Sequence, residues 1–280
     1  MLAINLFNGL VYGALLIVMC SGLALIYGLR RVVNFAHGSL YMLGAYLGYS
    51  IASHSNFWVA LVAAPAVMAL LGVLLDRYGF RLLQDRDPLS VVLVTFGLLL
   101  IIEDFVQSVW GKSNLSVAAP EALNTSVDLL GTPVPAYRLA VIAVGALVAL
   151  GLSLWLRYSK VGLFVRAAST DPTTTAMQGV NTDVLSAGVV GLGTALAGVV
   201  AAPFLSLSPS MSSDVIIDSF VVVVVGGLGS LVGAFVAAMV LGMVQALGAV
   251  YLPDLSAVLP FVIMVAVLVW KPAGFAGSRT

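Results

Sequence analysis

NFAHGSLYMLGAY, residues 34–46, sets an amide, an imidazole and two glycines between long apolar runs. In hydrocarbon each unpaired backbone or side-chain polar group costs several kcal/mol. A polar break at the entrance to a helix survives there only where protein covers it or where it lines a wet path. The stretch therefore reads as a candidate transport element of a membrane protein.

Composition supports the membrane setting: 61% of the 280 residues are hydrophobic and 9% are charged, whereas an ordinary soluble domain carries roughly 25% charged residues. Asn5 to Gly28 contains no charge and is long enough to cross a ~30 Å hydrocarbon core at ~1.5 Å per residue. This run lacks a charged leader region and a small-residue cleavage pattern, so it reads as a retained first span. The formal net charge of zero gives no reason to expect nucleic acid as a partner. The single Cys20 excludes an internal disulfide and a cysteine-built metal cluster, and His37 and His54 are too few for a metal site. No metal and no cofactor are expected.

Apolar segments recur at about 5–28, 37–53, 57–75, 88–110, 138–156, 184–204, 213–226, 230–250 and 255–270. The GGLGS interruption makes 213–250 either two crossings or one crossing with a re-entrant piece, which leaves eight or nine spans. Lys and Arg near span ends favour the cytoplasmic side. With the amino terminus outside, Arg30, Arg31, Arg77, Arg81, Arg86, Arg157, Lys160, Arg166, Lys271 and Arg279 fall inside, and only Lys112 and Arg138 fall outside. Ten against two favours nine crossings and a cytoplasmic carboxyl terminus.

Segment 111–137 is rich in Ser, Asn, Thr and Pro and poor in cations, as an external loop should be. Segment 157–183 falls on the cytoplasmic side and sets Val161, Leu163, Phe164 and Val165 among Arg157, Lys160 and Arg166. It reads as a docking surface, or alternatively as a solvated connector of unusual length.

Motifs for catalysis are absent. Gly111-Lys112-Ser113 resembles the end of a phosphate-binding loop, but Val106 stands where the first glycine belongs and an external loop is the wrong context. The chain is not expected to be an enzyme. Glu103 and Asp104, late in the fourth span, could serve a proton or cation path or rest in the interface; they point about 100° apart on a helix and form no shared site. An ion-coupled secondary transporter or channel is accordingly the competing reading.

Gly9-xxx-Gly13, Gly44-xxx-Gly48 and Gly229-xxx-Gly233 each place two small residues on one helix face, where backbones can approach closely. Gly226, Gly227 and Gly229 read either as a turn between spans or as a second break matching the one at Asn34, His37 and Ser39. Asn34 itself could act as a helix cap.

The combination NFAHGSLYMLGAY, GLFVRAASTDPTTTAMQGVNT, VVVVVGGLGSLVGAFVAAMVLG and closing WKPAGFAG resembles the permease subunits of branched-chain amino acid ABC importers over nearly the whole chain. Within that family NFAHG is similar to the shorter, histidine-type high-affinity permease. The resemblance implies an all-α polytopic fold: one transmembrane permease domain over 1–280, an importer bundle of eight or nine transmembrane helices with broken or re-entrant elements, set in a bacterial-type cytoplasmic (inner) membrane. It implies a path near Asn34, Phe35, His37, Gly38, Ser39, Gly226, Gly227, Gly229 and Ser230. A cytoplasmic coupling loop would span 157–183 and include Gly162, Leu163, Phe164, Arg166, Ala167, Asp171, Ala176 and Gly179. The implied partners are a second permease subunit, two cytoplasmic ATPase subunits that use the ATP, and an external substrate-binding protein received around Asp214 and Asp218. Branched-chain amino acids are the implied cargo, with amides, urea or other small polar solutes as relatives' alternatives.

Overall fold

An apolar run with no charged face can only be stable when it is surrounded, and the first helix is: α1 (Leu2–Arg30) is the central post of the protein, buried along most of its length. The computed structural model describes residues 2–31, 34–83, 86–116, 123, 125–129, 132–196 and 207–276. Around α1 stand α2 (Ala36–His54), α3 (Phe57–Tyr78), α4 (Pro88–Trp110), α5 (Ala136–Tyr158), α6 (Lys160–Thr170), α7 (Pro172–Met177), α8 (Thr182–Ala195), α9 (Met211–Gly226), α10 (Leu231–Tyr251) and α11 (Leu259–Trp270). Among the described residues five helices are long and apolar enough to cross a membrane: α1, α3 with its 3-10 extension, α4, α5 and α10. The chain is a predominantly helical, polytopic membrane protein.

Caps fix where several helices begin. Asn56 Oδ1 accepts the Val59 N–H at 2.8 Å to start α3, and Asp87 accepts the Ser90 N–H at 3.0 Å to start α4, whose first residue is Pro88. Ser230 starts α10 in the same way through the Gly233 N–H at 3.1 Å.

Small residues set the crossings. The Gly9 and Gly13 face meets Gly242 of α10 so closely that a Cβ on Gly242 would overlap the Gly13 backbone nitrogen. Gly72 of α3 lies under Thr194 of α8, and Thr194 Oγ1 donates to Met68 O at 2.9 Å. Gly145 of α5 is packed on Ala14. Gly44 and Gly48 lie buried in α2, and Gly233 sits against the Gly226 carbonyl across the α9–α10 turn.

The two ends of the bundle differ in chemistry. At one end Arg31 donates to Ser169 O at 3.1 Å, Arg81 pairs with Asp183 at 2.6 Å, and Gly28 faces Gly229. The chain after α11 returns to this end, where Phe275 N donates to Val225 O at 2.9 Å and Ala276 N donates to Gly226 O at 3.0 Å. At the other end the Trp110 indole donates to Ser50 Oγ at 2.6 Å and Arg138 to Asn8 Oδ1 at 2.7 Å.

Several elements depart from the sequence reading. The expected external loop holds a small antiparallel hairpin, β1 (Ser126–Leu129) and β2 (Thr132–Pro135), with Val127 opposite Val134. Strands of four residues are too short to display an alternating pattern. The expected span 184–204 is helical only to Ala195, and 197–206 lies outside the described residues, as does Arg279. Segment 157–183 is not an open connector but two short helices, α6 and α7.

Candidate functional site

At the end of α1, Arg31 takes the left-handed conformation (φ 53°) while its N–H still reaches Tyr27 O at 2.8 Å. Instead of continuing at the bundle's end, the chain turns back inside. His37 donates from Nε2 to Met19 O at 2.8 Å, and Met19 is about 16 Å along α1 from Arg30 at ~1.5 Å per residue. The first turn of α2 therefore lies deep in the bundle.

Burying a helix start leaves backbone donors to be satisfied. Asn34 does this: its Oδ1 accepts the Ala36 N–H at 3.1 Å and its backbone carbonyl accepts the His37 N–H at 3.1 Å. Ser39 Oγ donates back to Ala36 O at 2.9 Å. Because a carbonyl only accepts, the His37 proton sits on Nε2 and Nδ1 is left as a free acceptor. Asn34 Nδ2, His37 Nδ1, Tyr41 OH and Tyr46 OH are buried polar atoms without a hydrogen-bond partner among the described residues, the signature of a strained or ligand-visited region.

The break is held by close approach on two sides. A Cβ on Gly22 of α1 would overlap Gly193 O and come within 2.9 Å of the His37 ring. A Cβ on Gly38 would overlap Ser212 O and stand 3.0 Å from Ile216 Cβ. Phe35 borders a cavity of about 210 Å³ lined only by apolar side chains, among them Ile216, Phe220 and Phe261.

The structure does not bring the two glycine-rich stretches together. Gly38 meets the beginning of α9, whereas Gly226, Gly227, Gly229 and Ser230 form the turn at its other end, about 15 Å further along the helix from Ile216. Gly227 (φ 102°) and Gly229 (φ 87°) both use backbone angles that favour glycine, and Gly274 packs on Gly227.

A second polar feature was not legible as a unit. Asp218 in α9 accepts the Tyr12 O–H at 2.7 Å from α1 and a Gln245 Nε2–H at 3.3 Å from α10. The three side chains border a cavity of about 590 Å³ that extends to Ser208, Asp214 and Ser256 beside the α10–α11 turn. Tyr12 and Gln245 are isolated polar groups in apolar helices, and that isolation was their only signal. Glu103 of α4 also turns inward, accepting the Ser212 hydroxyl, while Asp104 is exposed.

At the opposite end, α6 and α7 fold beneath α5. Ser159 caps α6 through the Gly162 N–H at 2.8 Å, and Gly162 is buried against the Trp155 and Leu156 backbone. Arg166 donates to Leu156 O, tying α6 to the end of α5. Asp171 caps α7, and the donors Thr174 N–H and Oγ1–H hold its carboxyl below the usual carboxylate range. Leu163 and Phe164 are exposed, 54% and 38% respectively, and with Ala167 and Gly179 they border an apolar groove of about 960 Å³ reaching Val184 and Leu185. Ala176 is exposed on α7.

Residues 5–268 match the protein family described as branched-chain amino acid transport system / permease component. The chain is 27% identical to the high-affinity branched-chain amino acid transport system permease protein LivH of Escherichia coli (strain K12), over 98% of this chain and 94% of the relative. It is 26% identical to the permease protein BraD of Pseudomonas aeruginosa, over 98% of this chain and 95% of the relative. To the probable permease protein LivH of Methanocaldococcus jannaschii it is 24% identical, covering 96% of this chain and 91% of the relative. No solved structure matches the chain.

Proposed function

We propose, from the premise that this chain belongs to the branched-chain amino acid transport system permease family, that it carries leucine-like amino acids inward together with a second permease. The observation that carries this reading is the family match across 5–268. The chain is a multi-pass permease of the cytoplasmic membrane and a component of an ABC importer. Two ATPase subunits would attach at the cytoplasmic end, and an external binding protein would deliver the substrate beside the α10–α11 turn. No nucleic acid takes part.

The geometry supports this division of labour. Leu163 and Phe164 give the cation-rich end an exposed apolar surface, suited to a partner subunit with a matching groove. The broken entrance of α2 and the polar cavity at Asp218 lie on two sides of α9 and would flank the path. The carboxyl-terminal residues pair with Val225 and Gly226 at the end where α1 finishes, so the number of passages would be odd. Nine fits: α1 to α5, then α8, α9, α10 and α11, with α6 and α7 lying at the cytoplasmic end as the coupling loop.

Uptake by the complete complex in proteoliposomes tests the reading. ATP-dependent accumulation of leucine, isoleucine or valine with the cognate binding protein is the expected result. Accumulation of an amide or urea with no response to these amino acids would refute the cargo while leaving the permease role.

A further inference from the structure

We propose that the cavity at Asp218 is a station that takes the ammonium group of a zwitterionic amino acid; this deepens the transport reading above and rests on it. Asp218 is half-buried in the wall of the cavity, and among the described residues its partners are the Tyr12 hydroxyl at 2.7 Å and the Gln245 amide at 3.3 Å. No described cation pairs with it, and the other charged residue bordering the cavity is another carboxylate, Asp214. A carboxylate offers about four acceptor sites, so two neutral donors leave both capacity and charge uncompensated. A carboxylate partly withdrawn from water keeps part of its charge uncompensated, and a cationic guest would compensate it.

The space beside Asp218 fits such a guest. Its volume of about 590 Å³ falls within the ~300–1,000 Å³ usual for small-molecule clefts. An ammonium brings three donors, and three residues that carry acceptor oxygens border the cavity from separate helices: Asp218, Gln245 and Tyr12. The remaining wall includes Met19, Val215, Ile217 and Phe261, an apolar lining for a branched aliphatic side chain. Asp214, exposed at the rim, adds negative potential that draws a cationic group inward. A divalent metal ion is a poorer guest, because it requires about six oxygens and no described group of three His, Cys, Asp or Glu side chains comes together.

The test uses the whole complex in proteoliposomes, with leucine as the probe. Asp218→Asn keeps the size and the acceptor for Tyr12 but removes the charge. We expect leucine turnover to fall roughly tenfold or more, while ATP hydrolysis stimulated by the leucine-loaded binding protein persists. Asp218→Glu should recover part of the turnover. Parental transport by Asp218→Asn overturns the proposal. So does an equal loss of hydrolysis and transport that Asp218→Glu fails to relieve, because that pattern marks Asp218 as structural. Sodium-dependent leucine uptake by the parent would assign the site to an inorganic cation and also overturn it. Absence of leucine uptake by the parent, by contrast, refutes the cargo reading itself before any variant is compared.

Discussion

A methyl group at position 38 would occupy the place of the Ser212 carbonyl oxygen. Neither neighbour can yield cheaply: one is helix backbone and the other, Ile216, is a β-branched side chain on the same helix. Overpacking of this kind costs typically 1–3 kcal/mol. Gly97 of α4 offers a contrast, since nothing stands within 4 Å of a Cβ built there, and alanine in a helix interior is favoured over glycine by roughly 0.5–1 kcal/mol. Gly38→Ala should therefore lower the thermal midpoint of the purified chain and abolish uptake, whereas Gly97→Ala should hold or raise the midpoint. Equal midpoints for the two variants would show that α2 and α9 do not depend on this contact. The sequence marked Gly38 as special through its polar surroundings. Its partner could not be read, because Ser212 is one of several serines in 206–213 and only the fold selects it.

At the level of elements, the pair α6 and α7 separates a packing face from an exposed one. Gly162, Val165 and Ala168 are buried, while Leu163 and Phe164 are exposed along the open apolar groove. Leu163→Asp should leave insertion and folding intact, since it replaces an exposed side chain, yet the ATPase subunit should no longer co-purify with the permease. Retention of the ATPase at parental stoichiometry would remove this face from the coupling account. The apolar character of the segment was visible among its cations. The helical shape was less so, because Ser159 and Asp171 act as caps only once the following turns are known. Arg166 illustrates the remaining gap: sequence offers it to a partner, and the fold already gives it the Leu156 carbonyl.

For the whole molecule, the hydropathy pattern set out most helices, and the cation asymmetry offered an orientation for them. What it could not supply was depth. α2 begins beside Met19 because Asn34 satisfies its first donors, and α9 has only 16 residues yet is buried on most sides. Neither fact is a property of a hydropathy window. The orientation itself is testable: a reporter fused after Thr280 should be active only in the cytoplasm, and one inserted in the hairpin between β1 and β2 only outside. An external carboxyl-terminal reporter would break the nine-passage assignment and place the α9–α10 turn on the wrong side.

Arg31 has one further consequence, which concerns slack. It is the only described non-glycine residue in the left-handed region, and its guanidinium holds α6 through the Ser169 carbonyl. Three residues later Asn34 is sealed inside the bundle, and three residues of chain reach at most about 10 Å. Helix α6 and the buried break are thus moored to opposite ends of a very short rope. If α6 shifts by more than a few ångströms, either the mooring at Ser169 parts or the pull arrives at Asn34, so the timing of events at the two places cannot be independent while that bond lasts.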